Sequence, residues 1–331
     1  MQVSSVGIVG GGAWGTALAQ TLALAGRNVV LWAYEPDTIR EINEHHLNRN
    51  YLPGVSLEPG IRATGKMADI AAQDVVLLVP PAQNLRAVAS ELSPHFSAGR
   101  PAVICAKGIE RSSGKLMGDV LAEALPGALP AILSGPSFAA DVARGLPAAV
   151  TLACADEEIG RSLAEGLGYR NLRIYWSSDV IGVQLGGAIK NVLAIAAGIV
   201  DGKQLGASAH AALIARGFAE LRRLGEAMSA RSETLMGLSG LGDLILTCGS
   251  PKSRNMSLGR ALGEGQNLEA ILGQRRAVTE GIYTAEAVGR LASKFDVQMP
   301  ICQAVLDIVS GEITIDAAIE SLLTRPMKSE I

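Results

Sequence analysis

Short apolar runs, punctuated by glycine and polar turns, fill the first half of the chain. Val3–Val9 (VSSVGIV), Asn28–Trp32 (NVVLW), Asp74–Val79 (DVVLLV), Ala102–Ala106 (AVICA), Ala131–Leu133 (AIL) and Ala148–Ala153 (AAVTLA) read as strands. Thr16–Ala25 reads as a helix stopped by Gly26. Continuous apolar strands alternating with helical segments predict βαβ units and a parallel sheet covered on both faces. From about Ile181 the pattern is helical almost throughout, with Ala207–Ser229, Thr284–Ser293 and Cys302–Val309 the clearest helices. The change of character falls near Val180–Gly187. No Pro/Gly/Ser linker marks it, so the two halves are expected to pack closely.

The turn after the first strand is the most informative segment. Gly10-Gly11-Gly12-Ala13-Trp14-Gly15 fits GxGxxG between a strand and a helix. The first glycine permits the tight turn, the second lets a pyrophosphate approach the backbone, and the third allows close helix–sheet packing. The helix N-terminus supplies donors and partial positive charge. Gly10, Gly12, Ala13, Trp14 and Gly15 are therefore candidate dinucleotide contacts. Glu35 ends the second strand, about 20 residues after the turn, where an acid accepts from a ribose 2′-OH and favours NAD. A solvated Glu35 is the alternative. Arg40, further on, suits a 2′-phosphate, so NAD and NADP both stay open. The fold class read from these signals is an α/β Rossmann-type dinucleotide-binding domain, residues 1–185, followed by an all-α substrate domain, residues 186–331.

Composition narrows the function classes. Charged residues are 18% and hydrophobic ones 48%, which excludes a disordered chain. Twenty-nine basic against 32 acidic residues leave a net charge of −3, so no nucleic-acid footprint is visible. Cys105, Cys154, Cys248 and Cys302 form no CxxC pair. With His45, His46, His95 and His210 they offer no sequence-local metal site. Scattered cysteines fit a reducing cytoplasm. Met1–Gly26 carries no charge, but the glycines break its apolar run and no Lys or Arg precedes it, so it does not read as a signal peptide. No unbroken apolar window suggests a membrane span.

Three charges stand alone in uncharged stretches: Lys190 between Asp179 and Asp201, Lys107 between Arg100 and Glu110, and Asp243 between Glu233 and Lys252. Such a charge is either tucked against a partner or chemically active. On a helix Lys190 shares its face with Gly186, Gly187, Leu193, Ala194 and Ala197, all but Leu193 small, so another backbone or a ligand can come close. Partial burial lowers a lysine's pKa and makes it a usable acid or base; snorkelling to the surface is the alternative. Lys107 directly follows a strand, where ligands of open α/β sheets bind, or it is a simple strand-end charge. Asp243 follows three glycines (GLSGLGD) and is either a presented carboxylate or a helix cap. Lys252-Ser253-Arg254-Asn255 offers phosphate donors, with a solvated loop as the alternative. His45-His46 reads as solvent-facing and His210 as packed or at the surface.

In sequence order, GGGAWG (10–15), AKG (106–108), SGPSFA (134–139), QLGGAIKN (184–191), GLGDLILTC (240–248) and SRN (253–255) together closely resemble the NAD(P)-dependent glycerol-3-phosphate dehydrogenase family. The resemblance runs roughly from Val6 to Pro300. It implies interconversion of dihydroxyacetone phosphate and sn-glycerol 3-phosphate with NAD or NADP, feeding phospholipid synthesis, with no metal, in a cytoplasmic homodimer. By position it implies cofactor contacts at Ala13, Trp14, Tyr34, Lys107, Ala139, Arg254, Val278 and Glu280. Substrate contacts are implied at Lys107, Gly135, Ser137, Lys190, Asn191, Asp243, Thr247, Ser253, Arg254 and Asn255. Lys190 matches the catalytic lysine, with Asp243 and Lys107 beside it. Two residues depart from the family pattern: Lys203 after Asp201-Gly202, and Ser208 where Asn is usual. A hydroxy-acid dehydrogenase of the same two-domain group and a non-catalytic dinucleotide sensor are the competing readings.

Overall fold

The computed structural model describes residues 2–273 and 279–326. Among these, eight strands form one sheet: β1 (Ser5–Val9), β2 (Asn28–Trp32), β3 (Arg62–Thr64), β4 (Val75–Leu78), β5 (Pro101–Ile104), β6 (Leu129–Ser134), β7 (Ala148–Ala153) and β8 (Leu172–Ser177). Between them run α1 (Ala13–Leu24), α2 (Pro36–His45), α3 (Met67–Ala71), α4 (Leu85–Leu92), α5 (Met117–Ala124), α6 (Ala139–Ala143) and α7 (Glu157–Leu167). The rest is helical: α8 (Val180–Gly202), α9 (Ala207–Ala227), α10 (Ser232–Met236), α11 (Asp243–Cys248), α12 (Arg254–Gly263), α13 (Leu268–Gly273), α14 (Glu280–Lys294), α15 (Pro300–Ser310) and α16 (Ile315–Leu323).

The strand order is β3-β2-β1-β4-β5-β6-β7-β8. The order reverses between β1 and β4, which makes that crevice the topological switch point where ligands of doubly wound sheets bind. Alternate residues of each central strand feed opposite cores. Val75 and Leu77 of β4 join one buried cluster, and Val76 and Leu78 the other. All four are buried, which is why the strand reads as an unbroken apolar run.

One expectation needs correction: the sheet is not wholly parallel. β6 pairs with β7 antiparallel, while β7 and β8 pair parallel. The connection from β6 to β7 contains only the five-residue α6, which packs on α1 instead of crossing the sheet. The chain re-enters from the end at which β6 left. Two strands were also absent from the pattern reading. β3 is three residues long, and β8 (LRIYWS) alternates polar and apolar positions as the outer strand of the sheet.

The helical half is organised around α8. Every residue from Gly182 to Val200 is buried. By length and composition alone this helix is apolar enough to cross a membrane, but 89% of its most apolar window is buried inside the structure, and Lys190 interrupts it. Its glycines let α12 approach at backbone distance. A Cβ on Gly198 would lie 2.0 Å from the Met256 carbonyl oxygen, and one on Gly259 would lie 1.9 Å from that of Ile195. That contact brings the first turn of α12 beside Asn191. Residue 185, the last of the expected first domain, lies inside α8.

Candidate active site

The glycine-rich turn forms at the switch point. Gly10 has φ +129°, and its N–H donates to the Trp32 carbonyl at 3.0 Å. A Cβ there would come within 2.8 Å of the Val79 carbonyl oxygen, at the end of β4. At Gly15 a Cβ would lie 2.0 Å from the Gly10 oxygen, whereas at Gly12 it would meet nothing within 4 Å. So two glycines close the turn and one leaves open space in front of α1. The first intrahelical bond is Thr16 N–H to Gly12 C=O, and no side chain caps the helix. The N–H groups of Ala13, Trp14 and Gly15 therefore precede the ladder and face that space.

Beyond β2, Tyr34 is 82% exposed, and Glu35 occupies the N-cap position of α2 without capping it. The expectation that Glu35 ends β2 is corrected, since the strand stops at Trp32. Ala139 opens α6, against α1. Val278 lies outside the described residues.

The three isolated charges meet. Lys107, just past β5, donates from Nζ to Asp243 Oδ2 at 2.7 Å and to the Gly135 carbonyl at 2.9 Å. Lys190, mid-α8, donates to Asp243 Oδ1 at 2.6 Å and to Thr247 Oγ1 at 2.9 Å. Asp243 stands at the first position of α11, after a π-helical turn (Leu238–Gly242), and caps nothing. Its carboxylate, 1% exposed, bridges a lysine of the sheet half and a lysine of the helical half.

Burial pulls the Lys190 ammonium down from 10.5 to about 8, and Lys107 pulls the same way against the attraction of Asp243. For Asp243, burial alone would raise the pKa, but the two ammonium groups outweigh it and hold the carboxyl below its ordinary range.

Around this triad the remaining candidates form a hydrogen-bonded chain. Asn191 Nδ2 lies 3.5 Å from the Lys107 carbonyl, Asn255 Nδ2 donates to Asn191 Oδ1 at 2.9 Å, and the Gly281 N–H donates to Asn255 Oδ1 at 3.0 Å. Ser253 caps α12, accepting from Met256 N–H, so Arg254 and Asn255 begin that helix. Ser137 Oγ donates to the Gly135 carbonyl. Lys252 pairs instead with Asp141 of α6.

Glu280 opens α14 and reaches back to the sheet half, where its Oε1 accepts from Ala82 N–H at 2.9 Å. Its Oε2 is buried without a partner. Burial raises its pKa, and Arg254 lies close enough to oppose that shift. Thr284 Oγ1 and Ser134 Oγ are also buried and unpartnered. Both face glycines near the lysines: Thr284 Oγ1 is 3.6 Å from where Gly108 would carry a Cβ, and Ser134 Oγ is 2.6 Å from the same point on Gly187. Trp14 Nε1 is unpartnered as well. A bare glycine turn, a free helix N-terminus and orphaned polar atoms on both halves fit a dinucleotide lying across the switch point and a polar substrate beside Lys190. Among the described residues no three of His, Cys, Asp and Glu gather as metal ligands.

The departures from the resemblance lie elsewhere. Lys203 ends α8 and pairs with Asp316 of α16 at 2.5 Å, about 20 Å along the helix from Lys190. Ser208 is exposed in the first turn of α9. Pattern reading missed Ser134, Thr284, Asn48 and Tyr51. Ser134 had a signal, as the first residue of SGPSFA; Asn48 and Tyr51 stood in an ordinary stretch (LNRNYL), and Thr284 in a mixed helical one (IYTAEAV). His210 is packed: its Nε2 lies 3.2 Å from the Cys248 carbonyl at the end of α11.

Two family profiles match this arrangement. The N-terminal profile of NAD-dependent glycerol-3-phosphate dehydrogenase covers residues 5–160, and the C-terminal profile covers 179–320. The chain belongs to the NAD-dependent glycerol-3-phosphate dehydrogenase family. It is 58% identical over 325 residues to the glycerol-3-phosphate dehydrogenase (NAD(P)+) of Parvibaculum lavamentivorans, covering 98% of both chains. It is 57% identical to that of Caulobacter vibrioides, covering all of both. Among solved structures, the glycerol-3-phosphate dehydrogenase of Coxiella burnetii superposes with a TM-score of 0.93 at 37% identity, over 98% of this chain and 99% of that one. The family members are NAD(P)-dependent oxidoreductases, and this chain carries their two-part fold from end to end.

Proposed function

We propose that the chain catalyses the reversible, NAD(P)H-dependent reduction of dihydroxyacetone phosphate to sn-glycerol 3-phosphate and so supplies the backbone of glycerophospholipids. The observation that carries this reading is the buried Lys190 ammonium, pKa about 8, held 2.6 Å from Asp243 where the two halves meet, inside a chain that matches the family over both halves.

A bound reduced nicotinamide supplies the hydride. Lys190 gives its proton to the oxygen of the substrate carbonyl as that oxygen gains charge, and the ammonium stabilises the charge meanwhile. Asp243 and Thr247 fix the direction of its Nζ. Lys107, Ser253, Arg254 and Asn255 hold the phosphate, with the start of α12 adding backbone donors. That grip positions the carbonyl. Gly135, Ser137 and Asn191 shape the substrate side. Gly10, Gly12, Ala13, Trp14, Gly15, Tyr34, Glu35, Ala139, Val278 and Glu280 hold the cofactor. Residues 1–185 act as the dinucleotide-binding part and 186–331 as the catalytic part. The enzyme works as a cytoplasmic homodimer, a setting that four free, buried cysteines suit.

The test is loss of nicotinamide absorbance with NADH and with NADPH, using dihydroxyacetone phosphate as substrate and unphosphorylated dihydroxyacetone as control. Turnover that requires the phosphate supports the reading. No turnover with either cofactor would overturn it. Sedimentation at twice 34.3 kDa supports the dimer. Nothing observed favours a hydroxy-acid substrate or a silent sensor.

A further inference from the structure

The family uses either nicotinamide cofactor, and the surroundings of Glu35 bear on the choice between them. At the carboxyl end of β2, a Cβ on Gly11 would lie 2.7 Å from Ala33 Cβ, so the glycine turn rests directly on the segment that leads to Glu35. The loop after α2 is tied to that same turn. Asn48, 1% exposed, donates from Nδ2 to the Gly11 carbonyl and to Thr16 Oγ1, both at 2.8 Å. Its backbone carbonyl accepts from Leu52 N–H at 2.8 Å, and its Oδ1 accepts from Tyr51 N–H at 3.3 Å. Tyr51 in turn donates its phenol O–H to Glu35 Oε1 at 2.8 Å. An unbroken hydrogen-bonded path therefore runs from the glycine turn through Asn48 and Tyr51 to the Glu35 carboxylate.

We propose that Tyr51 is a positioning residue that fixes the Glu35 carboxylate at the ribose end of the dinucleotide cleft, and that this pair makes the enzyme select NADH over NADPH. The inference rests on the reading of Gly10–Gly15 as the dinucleotide site. With Oε1 engaged by Tyr51, Glu35 keeps Oε2 for a ribose hydroxyl, which donates to it. A 2′-phosphate in the same place would set its negative charge against the carboxylate. The neighbouring cations do not reverse that balance. Arg40 pairs with Asp37 at 3.1 Å, Arg49 pairs with Glu41 at 2.7 Å, and Lys66 lies in the field of Asp69.

The experiment titrates the substrate-free protein with NADH and with NADPH by calorimetry and reads the ratio of the two dissociation constants. The wild-type protein is expected to bind NADH at least about tenfold more tightly, and Glu35→Gln to bring the ratio within about threefold of unity. Tyr51→Phe should fall between them, because Glu35 keeps its charge and loses its anchor. Arg40→Ala should leave the ratio at the wild-type value. Equal affinity of the wild-type protein for both cofactors, or an unchanged ratio in Tyr51→Phe, overturns the proposal while the dinucleotide site stands. A Tyr51→Phe protein that weakens both cofactors equally makes Tyr51 a direct cofactor contact and also overturns it. Binding of neither cofactor overturns the dinucleotide reading itself, and the proposal falls with it.

Discussion

Replacing Lys190 by methionine removes the ammonium and keeps the volume. The ordinary lysine pKa of 10.5 falls to about 8 in the fold, a preference for the neutral amine worth about 3 kcal/mol. The unfolded chain binds more protons than the folded one between about pH 8 and 10.5. Lys190 therefore opposes folding fully below about pH 8, and the wild-type protein gains stability as pH rises through that window. Lys190→Met removes this slope. Its net effect on stability at pH 7 is small, within about 2 kcal/mol, because the desolvation cost disappears while Asp243 keeps only Lys107 as counter-charge. Its effect on turnover is large. Loss of a positioned proton donor lowers kcat by about 10²- to 10⁴-fold with cofactor affinity unchanged.

With Lys190 as the proton donor, ketone reduction needs the protonated amine, so kcat/KM, which reports the free enzyme, falls about tenfold per pH unit above about pH 8. Alcohol oxidation needs the free amine and shows the opposite limb. The assay is nicotinamide absorbance at varied dihydroxyacetone phosphate concentrations across a pH series, which separates kcat/KM from kcat, with denaturant unfolding at the same pH values. A methionine variant that keeps more than about a tenth of wild-type kcat would refute the assignment of Lys190 as the acid. So would a wild-type profile with no limb near pH 8 in either direction.

Three further outcomes follow from other contacts. Asp243→Asn and Lys107→Met should move the kcat/KM limb in opposite directions, down for the first and up for the second, because Asp243 raises and Lys107 lowers the Lys190 pKa; pH–rate profiles of the two variants decide it. Gly259→Val should destabilise the fold by more than about 3 kcal/mol, since its Cβ would sit 1.9 Å from the Ile195 carbonyl oxygen, and wild-type stability in urea would contradict that backbone approach. Glu220, buried on α9, accepts from the N–H groups of Ile301 and Cys302 at the start of α15, and Glu220→Gln, which turns an amide NH₂ toward one of them, should cost about 1–3 kcal/mol at acidic pH. Burial raises the Glu220 pKa, so the wild-type protein loses stability as pH rises from the ordinary carboxylate range through the folded value, a slope the glutamine variant lacks.

The sheet was legible where strands are central and apolar. β2 and β7 have the bounds that the pattern predicts, because such strands are buried on both faces and need no tertiary information to recognise. β3 and β8 were not legible, one being too short for any period and the other mixed in polarity at the sheet edge. The antiparallel β6–β7 pair depends on where α6 packs, which no local pattern encodes. The isolated charges were legible because a charge in an apolar stretch has few ways to be satisfied. Their shared partner was not, since Lys107 and Asp243 are separated by 136 positions and Lys190 and Asp243 by 53. Tyr51 illustrates the opposite case. Its surroundings are ordinary, and the side-chain bonds of Asn48 tie it to the glycine turn.

The number of charges in the cluster bears on the chemistry. One lysine and one aspartate would neutralise each other and leave nothing for an oxygen that becomes negative during reduction. Here two lysines share a single carboxylate, one oxygen each, so the buried group keeps one net positive charge. That charge costs folding energy, which appears as the low Lys190 pKa. It is tolerable because Lys107 and Lys190 sit on different halves of the chain and converge on one residue of α11, with Gly187 of α8 beside the Lys107 stem: a Cβ there would lie 3.5 Å from Lys107 Cγ. A negative phosphate and a developing alkoxide are the groups that relieve such a charge. On the proposed role of Lys190, the same surplus that burdens the fold favours substrate binding, and favours the transition state further as negative charge grows on the substrate oxygen.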